Sequence, residues 1–441
     1  MSSTRSISRR SAMKAAAAGI AVPFVYRAHA AHAAPSETLL HVSVGAGGMA
    51  GSDIGSLTGS KNLKLIAVAD VDSDRAAAMK KRFPDIKVYA DWREMFDKEK
   101  FDSVNVSTPD HMHAAPTMRA LRSGKSVYTQ KPLTQTIYES RQLTLAAKDA
   151  KGVTQMGTQG HPAVPNKIVR ALIQSGTIGK VKEVHSWSGK DWGDSSPRPD
   201  RTDPVPANLN WDLWLGVAAE VPFLGGGYYH PGNWRKRLAF GTGTFGDMAC
   251  HILDPVYNAL ALTLATSAQS NGDAPNQWNW GLDCEVAMTF PATKFTTDSF
   301  TLNWYNGKRR PPEAIVKQIA PHALPSQGSI YVGTDGVLFA PYVATPVLLP
   351  ADKFASTKLP EVTGGNHYLE FIEAARGNGK TSCSFAYAGP LTEMVLLGCL
   401  ATRFPKTKLE WDAEKMKVTN VPEANQFVRR QYRKGWEEAG L

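Results

Sequence analysis

The stretch LLHVSVGAGGMAGSDI, residues 39–54, is the most informative part of this chain for its architecture. Its alternating and β-branched first residues predict a buried strand, and a glycine-rich turn follows directly. Gly45, Gly47 and Ala50 give this turn the pattern G-x-G-x-x-A. Such a turn lets the backbone approach a pyrophosphate and lets the next helix pack closely on the strand, with its N-terminus facing the phosphate charge. We therefore predict a dinucleotide-binding unit here.

The following strands extend this unit into a doubly wound parallel sheet. LKLIAVADVD predicts a strand ending at Asp70, and DSVNVSTP and KSVYTQKPL predict two more, alternating with helical stretches. An acid at the position of Asp70 suits ribose hydroxyls and repels a 2′-phosphate, so NAD is favoured over NADP; the alternative is a helix cap. Ligands bind at the carboxyl ends of such strands. We expect cofactor contacts from Gly45, Gly47, Gly48, Met49, Ala50, Asp70, Thr108, Pro109, His111, His113, Gln130, Lys131 and Gln159.

His111 and His113 are two positions apart in a predicted loop. Metal-binding histidine pairs prefer helical i, i+4 spacing or partners elsewhere in the chain, so no metal site is expected. We expect the two rings to line the cofactor cleft, with simple packing of the loop as the alternative.

Length and composition predict two folded domains behind an export signal. The chain has 441 residues, of which 42% are hydrophobic, and a mean hydropathy of −0.28. Residues 1–34 contain the pair Arg9 and Arg10 and then an alanine-rich stretch, a pattern typical of a twin-arginine signal peptide. The predicted domains are residues 1–34 as signal, 35–160 as NAD-binding Rossmann domain and 161–441 as substrate-binding α/β domain.

The net charge argues against a nucleic-acid partner, and the spacing of the cysteines argues against a zinc ribbon. The signal carries five basic residues and no acid, so its removal lowers the formal net charge from +10 to +5. A surplus this small on about 400 residues does not predict nucleic-acid binding. The four cysteines form no CxxC pair, and buried free thiols are expected.

The stretch FGDMACHILD, residues 245–254, carries an acid and a histidine four positions apart. On a helix Asp247 and His251 share one face. A histidine titrates near neutral pH and is a sensible base for a hydroxyl proton, and the aspartate could orient the imidazole or bind a second hydroxyl. The alternatives are that Asp247 caps the helix and that His251 is a buried structural residue.

Residues 190–246 have little periodicity and are rich in proline, glycine and aromatic residues. Long irregular segments in compact domains are usually functional, and aromatic faces with polar edges suit a carbohydrate. We predict substrate contacts from Tyr229, His230, Trp234 and Arg235. A lid or a contact between subunits is the alternative.

Taken together, the motifs VGAGGMAG, AVADVD, STPDHMH, TQKPL, MGTQGH, NWDLWLG, GTGTFGDMACH and PEANQFVRRQYRKGW resemble the Gfo/Idh/MocA oxidoreductase family, in particular its exported bacterial branch. The resemblance implies an N-terminal Rossmann domain and a C-terminal α/β domain with a large, mostly antiparallel sheet. It also implies that Lys131, Asp247 and His251 are catalytic, with the lysine stabilising a developing alkoxide. The chain departs from many relatives at Gln130, where they have glutamate, so a carboxylate beside the lysine is missing.

The resemblance and the signal together predict an NAD(P)-dependent oxidoreductase acting on a hydroxyl of a sugar, glycoside or cyclitol. Because the periplasm is not expected to hold a free nicotinamide pool, we expect a tightly bound NAD in a periplasmic or secreted protein exported by the twin-arginine machinery. The alternatives are an enzyme that cleaves or epimerises glycosides through transient oxidation, and a non-catalytic periplasmic carbohydrate-binding protein. A cytoplasmic-style reductase with exchangeable cofactor is a further option. Open sheet faces in relatives suggest a homo-oligomer. No apolar run approaches the roughly 20 residues that a membrane helix needs, so no membrane span is expected.

Overall fold

The computed structural model describes residues 38–441, so the predicted signal at 1–34 lies outside the described residues. A six-stranded parallel sheet, in the order β3-β2-β1-β4-β5-β6, forms the first half of this region. Its strands are β1 Leu39–Val44, β2 Leu63–Ala69, β3 Lys87–Tyr89, β4 Ser103–Val106, β5 Ser126–Gln130 and β6 Thr154–Gly157. The predicted doubly wound sheet is confirmed.

Helices cross between these strands, and short polar side chains fix where several of them begin. They are α1 Met49–Leu57, α2 Ser73–Arg82, α3 Trp92–Lys98, α4 Ala114–Arg122 and α5 Ile137–Asp149. Asp72 caps α2 by accepting a hydrogen bond from the Asp74 N–H. Asp70, the alternative candidate for a cap, does not cap this helix.

The second half is built on a nine-stranded sheet in the order β13-β12-β11-β7-β10-β9-β8-β14-β15. Neighbouring strands are antiparallel except β7 and β10, which are parallel. The strands are β7 Val181–Ser188, β8 Ser267–Ser270, β9 Cys284–Thr289, β10 Thr296–Asn306, β11 Gln327–Gly333, β12 Val337–Pro341, β13 Val347–Leu349, β14 Lys408–Asp412 and β15 Lys417–Val418. This confirms the large, mostly antiparallel sheet that the resemblance implies.

The helices of this half pack on the sheet and return to the first half. They are α6 Val164–Gln174, α7 Trp211–Leu215, α8 Gly243–Ile252, α9 Asp254–Ala259, α10 Glu313–Val316, α11 His367–Ala375 and α12 Phe385–Ala401. Helix α12 is buried along nearly all its length and packs against α5 and α8. A buried ion pair joins α5 to α12, with Arg141 Nη2 2.6 Å from Glu393 Oε2. Helix α12 therefore contacts both halves, and the helix that carries Asp247 and His251 packs against it.

The sequence predicts no membrane-spanning helix and buried free thiols. In residues 38–441 no helix combines the length and apolar character needed to cross a bilayer. The four cysteines, Cys250, Cys284, Cys383 and Cys399, are buried free thiols. Burial raises the pKa of the Cys250 thiol to about 12, so this thiol is protonated and inert near neutral pH.

Candidate active site

A cavity of about 410 Å³ lies at the carboxyl ends of β1, β2 and β4. The glycine-rich turn forms one wall, through Gly45, Gly47, Gly48 and Met49. The opposite wall comes from the second half of the chain and is formed by Leu213, Trp214, His230, Pro231, Gly232, Trp234 and Arg235. The predicted dinucleotide turn thus opens into a cleft that both halves enclose.

The glycine-rich turn requires glycine and is fixed by Asp70. Gly45 has a φ of 102°, and a Cβ there would lie 2.7 Å from the Ser107 carbonyl oxygen. The Asp70 carboxylate accepts hydrogen bonds from the N–H groups of Ala46 at 2.8 Å and Gly47 at 3.4 Å. Asp70 also lines the cleft, so one acid both shapes the turn and faces the place where a ribose would lie.

The predicted cofactor residues divide into two groups. Those that line the cleft are Gly45, Gly47, Gly48, Met49, Asp70, Thr108 and Pro109. Those that do not line it are Ala50, His111, His113, Gln130, Lys131 and Gln159. Ala50 is fully buried between strand and helix, as the G-x-G-x-x-A pattern requires.

His111 and His113 are buried below the cleft and bind backbone oxygens. His111 Nε2 lies 3.1 Å from the Trp214 carbonyl oxygen. The two ring nitrogens of His113 lie 2.7 Å from the Pro132 oxygen and 2.9 Å from the Thr108 oxygen. Burial lowers the pKa of His111 to about 3 and that of His113 to about 4, so both rings are neutral. The structure therefore gives them the alternative role, which is packing of the loop.

Lys131, Asp247 and Arg235 form a compact charged cluster where β5 ends. Lys131 Nζ lies 2.6 Å from Asp247 Oδ1 and donates a second hydrogen bond to the Asp247 carbonyl oxygen at 2.9 Å. Arg235 Nε lies 3.3 Å from the same carboxylate oxygen. Burial alone would raise the pKa of Asp247, but the two cations outweigh it and hold that pKa below its usual range. The carboxylate is ionised, and the cluster carries a surplus of positive charge.

The interpretation of Asp247 as a helix cap is wrong, because α8 begins at Gly243 with Thr242 as its N-cap. His251 lies one turn further along the same helix and is half-buried. None of the described residues hydrogen-bonds its ring, and its Nδ1 is buried without a partner. Burial, followed by the charge of Lys131, lowers the pKa of His251 to about 3, so the ring is neutral. Asp247 therefore binds the cations rather than orienting the imidazole.

A second buried acid, Asp110, lies close to this cluster and is missed by reasoning from the sequence. Thr242 Oγ1 donates a hydrogen bond to Asp110 Oδ2 at 2.8 Å. Burial raises the pKa of Asp110 to about 7, partly offset by that hydrogen bond and by the charge of Arg235. Its place in the STPDHMH motif is the one available signal, since burial beside Thr242 depends on a contact across 132 positions of the chain.

Gln130, where many relatives have glutamate, takes part in a buried network centred on Asp53 of α1. Its Nε2 donates to both carboxylate oxygens of Asp53, at 3.0 and 2.9 Å. Ser107 Oγ and Tyr368 Oη donate to the same carboxylate at 2.7 and 2.8 Å. Gln130 Oε1 accepts a hydrogen bond from the Lys131 backbone N–H at 3.3 Å, which constrains the backbone where β5 ends. The carboxylate of this network therefore belongs to Asp53 on another element, and it binds Gln130, whereas the Lys131 ammonium binds Asp247.

The aromatic segment with the predicted substrate contacts covers the cleft. Tyr229 is buried in an aromatic cluster with Trp211, Trp214 and Phe240, and it does not line the cleft. His230 Nε2 lies 3.0 Å from Asp72 Oδ2, which joins this segment to the end of β2. Trp234 and Arg235 line the cleft, and Arg235 also reaches Asp247. His230, Trp234 and Arg235 therefore face the dinucleotide cleft, whereas Tyr229 packs behind it.

No group of three or more histidine, cysteine, aspartate or glutamate side chains that could hold a metal ion occurs in residues 38–441.

Gln159, the remaining predicted cofactor residue, lies beside the Asp53 network. Its Nε2 lies 3.3 Å from Tyr128 Oη and 3.4 Å from Tyr368 Oη.

Curated relatives are similar in sequence to part of this chain. A levoglucosan dehydrogenase of Pseudarthrobacter phenanthrenivorans is 26% identical over 188 residues, which is 42% of this chain and 40% of that protein. A scyllo-inositol 2-dehydrogenase (NADP(+)) of Bacillus subtilis is 34% identical over 203 residues, 46% of each chain. The matched segments span less than half of each relative.

Solved structures share the fold across nearly the whole described region. The WlbA dehydrogenase of Chromobacterium violaceum, solved with NADH and UDP-GlcNAcA, superposes with a TM-score of 0.62 at 16% identity. The superposition covers 86% of this chain and 97% of that one. At this identity the likeness concerns the fold.

Two family descriptions match consecutive parts of the chain. Residues 40–158 match the oxidoreductase family GFO_IDH_MocA, NAD-binding Rossmann fold. Residues 163–289 match the C-terminal alpha/beta domain of the same oxidoreductase family. The chain therefore belongs to the Gfo/Idh/MocA family of oxidoreductases.

Proposed function

We propose that this chain is an NAD(P)-dependent oxidoreductase that acts on a hydroxyl group of a sugar, glycoside or cyclitol. The observation that carries the proposal is the cluster in which Lys131 Nζ lies 2.6 Å from Asp247 Oδ1, on the helix that also carries the neutral His251. The curated relatives named for levoglucosan and for scyllo-inositol support the class of substrate.

The charged cluster and the neighbouring His251 have distinct roles in this proposal. A bound nicotinamide would accept the hydride from the carbon that carries the hydroxyl. His251 is neutral and has no hydrogen-bond partner in the described region, so it is free to accept the hydroxyl proton. Lys131 stabilises the negative charge that develops on the oxygen. Asp247 and Arg235 hold the ammonium in place.

The residues of the cleft fit a dinucleotide. The turn at Gly45 leaves no room for a side chain, and the N-terminus of α1 follows it directly. Asp70 favours NAD through the ribose hydroxyls. Arg75 lies in the same cleft and could meet a 2′-phosphate, but its Nε is 3.4 Å from Asp72 Oδ2, which partly neutralises it. We therefore propose NAD as the preferred cofactor.

We further propose that the chain is exported by the twin-arginine route and retains its NAD through the catalytic cycle. Asp72 supports retention, because it accepts hydrogen bonds from Asn208 Nδ2 at 2.9 Å and meets His230 Nε2 at 3.0 Å. These contacts attach the segment that covers the cleft to the Rossmann sheet. With NAD retained, its reduction and reoxidation would occur within one cycle. This would allow either coupled oxidation and reduction of two sugars, or transient oxidation followed by cleavage or epimerisation.

The first experiment measures the ultraviolet and near-ultraviolet absorbance of the purified protein without added cofactor. Retention predicts a nicotinamide dinucleotide that remains with the protein through gel filtration and is released on denaturation, where its mass identifies NAD or NADP. An empty protein that binds NAD only at millimolar concentrations contradicts retention and leaves a reductase with exchangeable cofactor.

The second experiment compares turnover on a panel of sugars and cyclitols. Lys131→Ala and His251→Ala should each lose activity, whereas the exposed controls Lys61→Ala and His322→Ala should not. Product mass separates net oxidation, which removes two hydrogens, from cleavage and epimerisation. Sugar binding with no turnover in the wild-type protein favours a non-catalytic carbohydrate-binding protein instead.

A further inference from the structure

A second, smaller cavity of about 150 Å³ lies beside the N-terminus of α8 and shares no lining residue with the dinucleotide cleft. Three arginines line it, Arg403, Arg429 and Arg430, and no aspartate or glutamate does. Gln135 and Gln426 add amide groups, and Thr242, the N-cap of α8, also lines it. The cavity therefore presents donors and positive charge without an internal counter-charge.

Of the three arginines that line this cavity, Arg403 is the one whose guanidinium has no hydrogen-bond or ion-pair partner in residues 38–441. Its guanidinium lies between two rings, with Cζ 5.1 Å from the Trp280 centroid and 4.3 Å from the Phe427 centroid. No oxygen of residues 38–441 accepts a hydrogen bond from that guanidinium or pairs with it. Burial lowers the pKa of Arg403 to about 10, which still leaves it charged at neutral pH. The faces are covered by rings, so the edge N–H groups need an acceptor from elsewhere.

Other largely buried arginines of this chain show what is missing. Arg141 has Glu393 at 2.6 Å, and Arg237 has Asp194 at 2.7 Å. Buried charges are ordinarily paired, because an unpaired charge away from water is costly. Arg403 is the exception among these three, since no carboxylate of residues 38–441 pairs with it.

Arg430 is held so that it faces the same space. Its Nη1 donates to Gln135 Oε1 and its Nη2 to the Ala239 oxygen at 3.2 Å, while its Nε is buried without a partner. Arg429 is exposed, and its Nη2 donates to the Leu441 oxygen at 3.1 Å. Arg403 therefore lines the cavity with an unpaired guanidinium, Arg430 lines it with its Nε–H unpaired, and Arg429 adds positive charge at its edge.

We propose that this cavity binds a small oxyanion of the phosphate class, held by Arg403 and Arg430. A guanidinium edge matches the geometry of phosphate oxygens and can donate two parallel hydrogen bonds. Gln426 Nε2 donates one hydrogen bond to the Glu423 oxygen and keeps a second N–H for the anion, whereas Gln135 Nε2 already donates to the Leu238 and Gly241 oxygens. The volume limits the ligand to a small anion. The site is separate from the dinucleotide cleft, so the inference goes beyond the proposed oxidoreductase activity.

The test is calorimetric titration of the purified protein with inorganic phosphate, at constant ionic strength and with saturating NAD to occupy the glycine-rich turn. The wild-type protein should show one saturable site. Arg403→Met should weaken phosphate binding by at least about tenfold, the loss expected when hydrogen bonds to a charged group are removed. The control Arg309→Met removes an exposed arginine that lies 3.6 Å from Glu285, and should bind as the wild type does.

Arg430→Met provides a second variant, with the same expected loss if the first fails to fold. In phosphate-free buffer Arg403→Met should be at least as stable as the wild type, since it removes an unpaired, largely buried charge. Absence of a saturable site in the wild type overturns the proposal, as does unchanged phosphate binding in folded Arg403→Met and Arg430→Met. None of these readouts depends on turnover, so failure of the oxidoreductase proposal would be seen separately.

Discussion

Replacing Gln130 by glutamate puts a second carboxylate against Asp53 in a buried network. In the wild type the Gln130 amide donates to both oxygens of Asp53 at 3.0 and 2.9 Å, and Ser107 and Tyr368 donate to the same group. Glutamate has nearly the same shape but donates nothing when ionised. The substitution therefore tests whether the carboxylate on α1 replaces the one that many relatives carry beside the lysine.

The size of the effect follows from the distance. Two ionised carboxylates about 3 Å apart repel by about 5.5 kcal/mol at an effective dielectric constant of about 20. Keeping the new glutamate protonated at pH 7, against an ordinary pKa of about 4.3, costs about 4 kcal/mol. Burial already raises the pKa of Asp53, so placing the shared proton on Asp53 costs less than placing it on the new glutamate. The cheapest state dominates, so Gln130→Glu should lower the free energy of unfolding at pH 7 by at most about 4 kcal/mol.

The sign of the pH dependence is fixed by the same reasoning. The folded-state pKa of the introduced glutamate would lie above its unfolded value, so the penalty is absent below about pH 4 and grows as pH rises. Adding Asp53→Asn to this variant restores a donor opposite the new carboxylate and keeps one negative charge. The double variant should recover at least about 2 kcal/mol at pH 7, although Ser107 and Tyr368 then share one acceptor.

Urea unfolding followed by tryptophan fluorescence at about pH 4.5 and pH 7.5 measures these differences. Asp53→Asn alone completes the double-mutant cycle, and Gln174→Glu on α6 is a control for adding one negative charge away from the network. The reasoning is refuted if Gln130→Glu is as stable as the wild type at the higher pH, or if Asp53→Asn fails to improve it.

Three further predictions concern the charged cluster and its neighbour Asp110. Lys131→Met should reduce turnover by roughly 10²- to 10³-fold. It should also raise the pKa of Asp247, because Arg235 is then the one cation bound to that carboxylate. Unchanged turnover on a substrate of the wild type would contradict this. The pKa of His251 is lowered to about 3, so the ring is a neutral base at every pH above that value. The profile of kcat/KM against pH should therefore show no fall on the acid side near pH 6.5. A fall there that disappears in His251→Gln would contradict this. The pKa of Asp110 is raised to about 7, so the contribution of Asp110 to stability should fall by about 4 kcal/mol as pH rises from about 4 to 7. In urea unfolding the stability of Asp110→Asn relative to the wild type should therefore rise by about 4 kcal/mol over that range, and a constant difference would exclude it.

Reading the chain alone was enough to predict the parallel sheet, the dinucleotide turn and the helix that places Asp247 and His251 on one face. These features depend on local chemistry, since hydrophobic period, glycine φ and helical spacing are set within a few residues. Gly45 needs a positive φ wherever the turn occurs, and helix α8 includes both residues as the spacing predicted. Lys131 is found through the resemblance of the motif Gln-Lys-Pro, residues 130–132, to the Glu-Lys-Pro motif of the family.

The partners of these residues depend instead on the packing of distant elements. Lys131 and Asp247 are 116 positions apart, and Gln130 and Asp53 are 77 apart, so no local pattern could pair them. The same holds for the aromatic segment: His230 lies against Asp72, 158 positions away, whereas Tyr229 next to it points into the aromatic cluster. Burial and ion pairing follow from which elements pack together, and that information is spread over the whole chain rather than held in one motif.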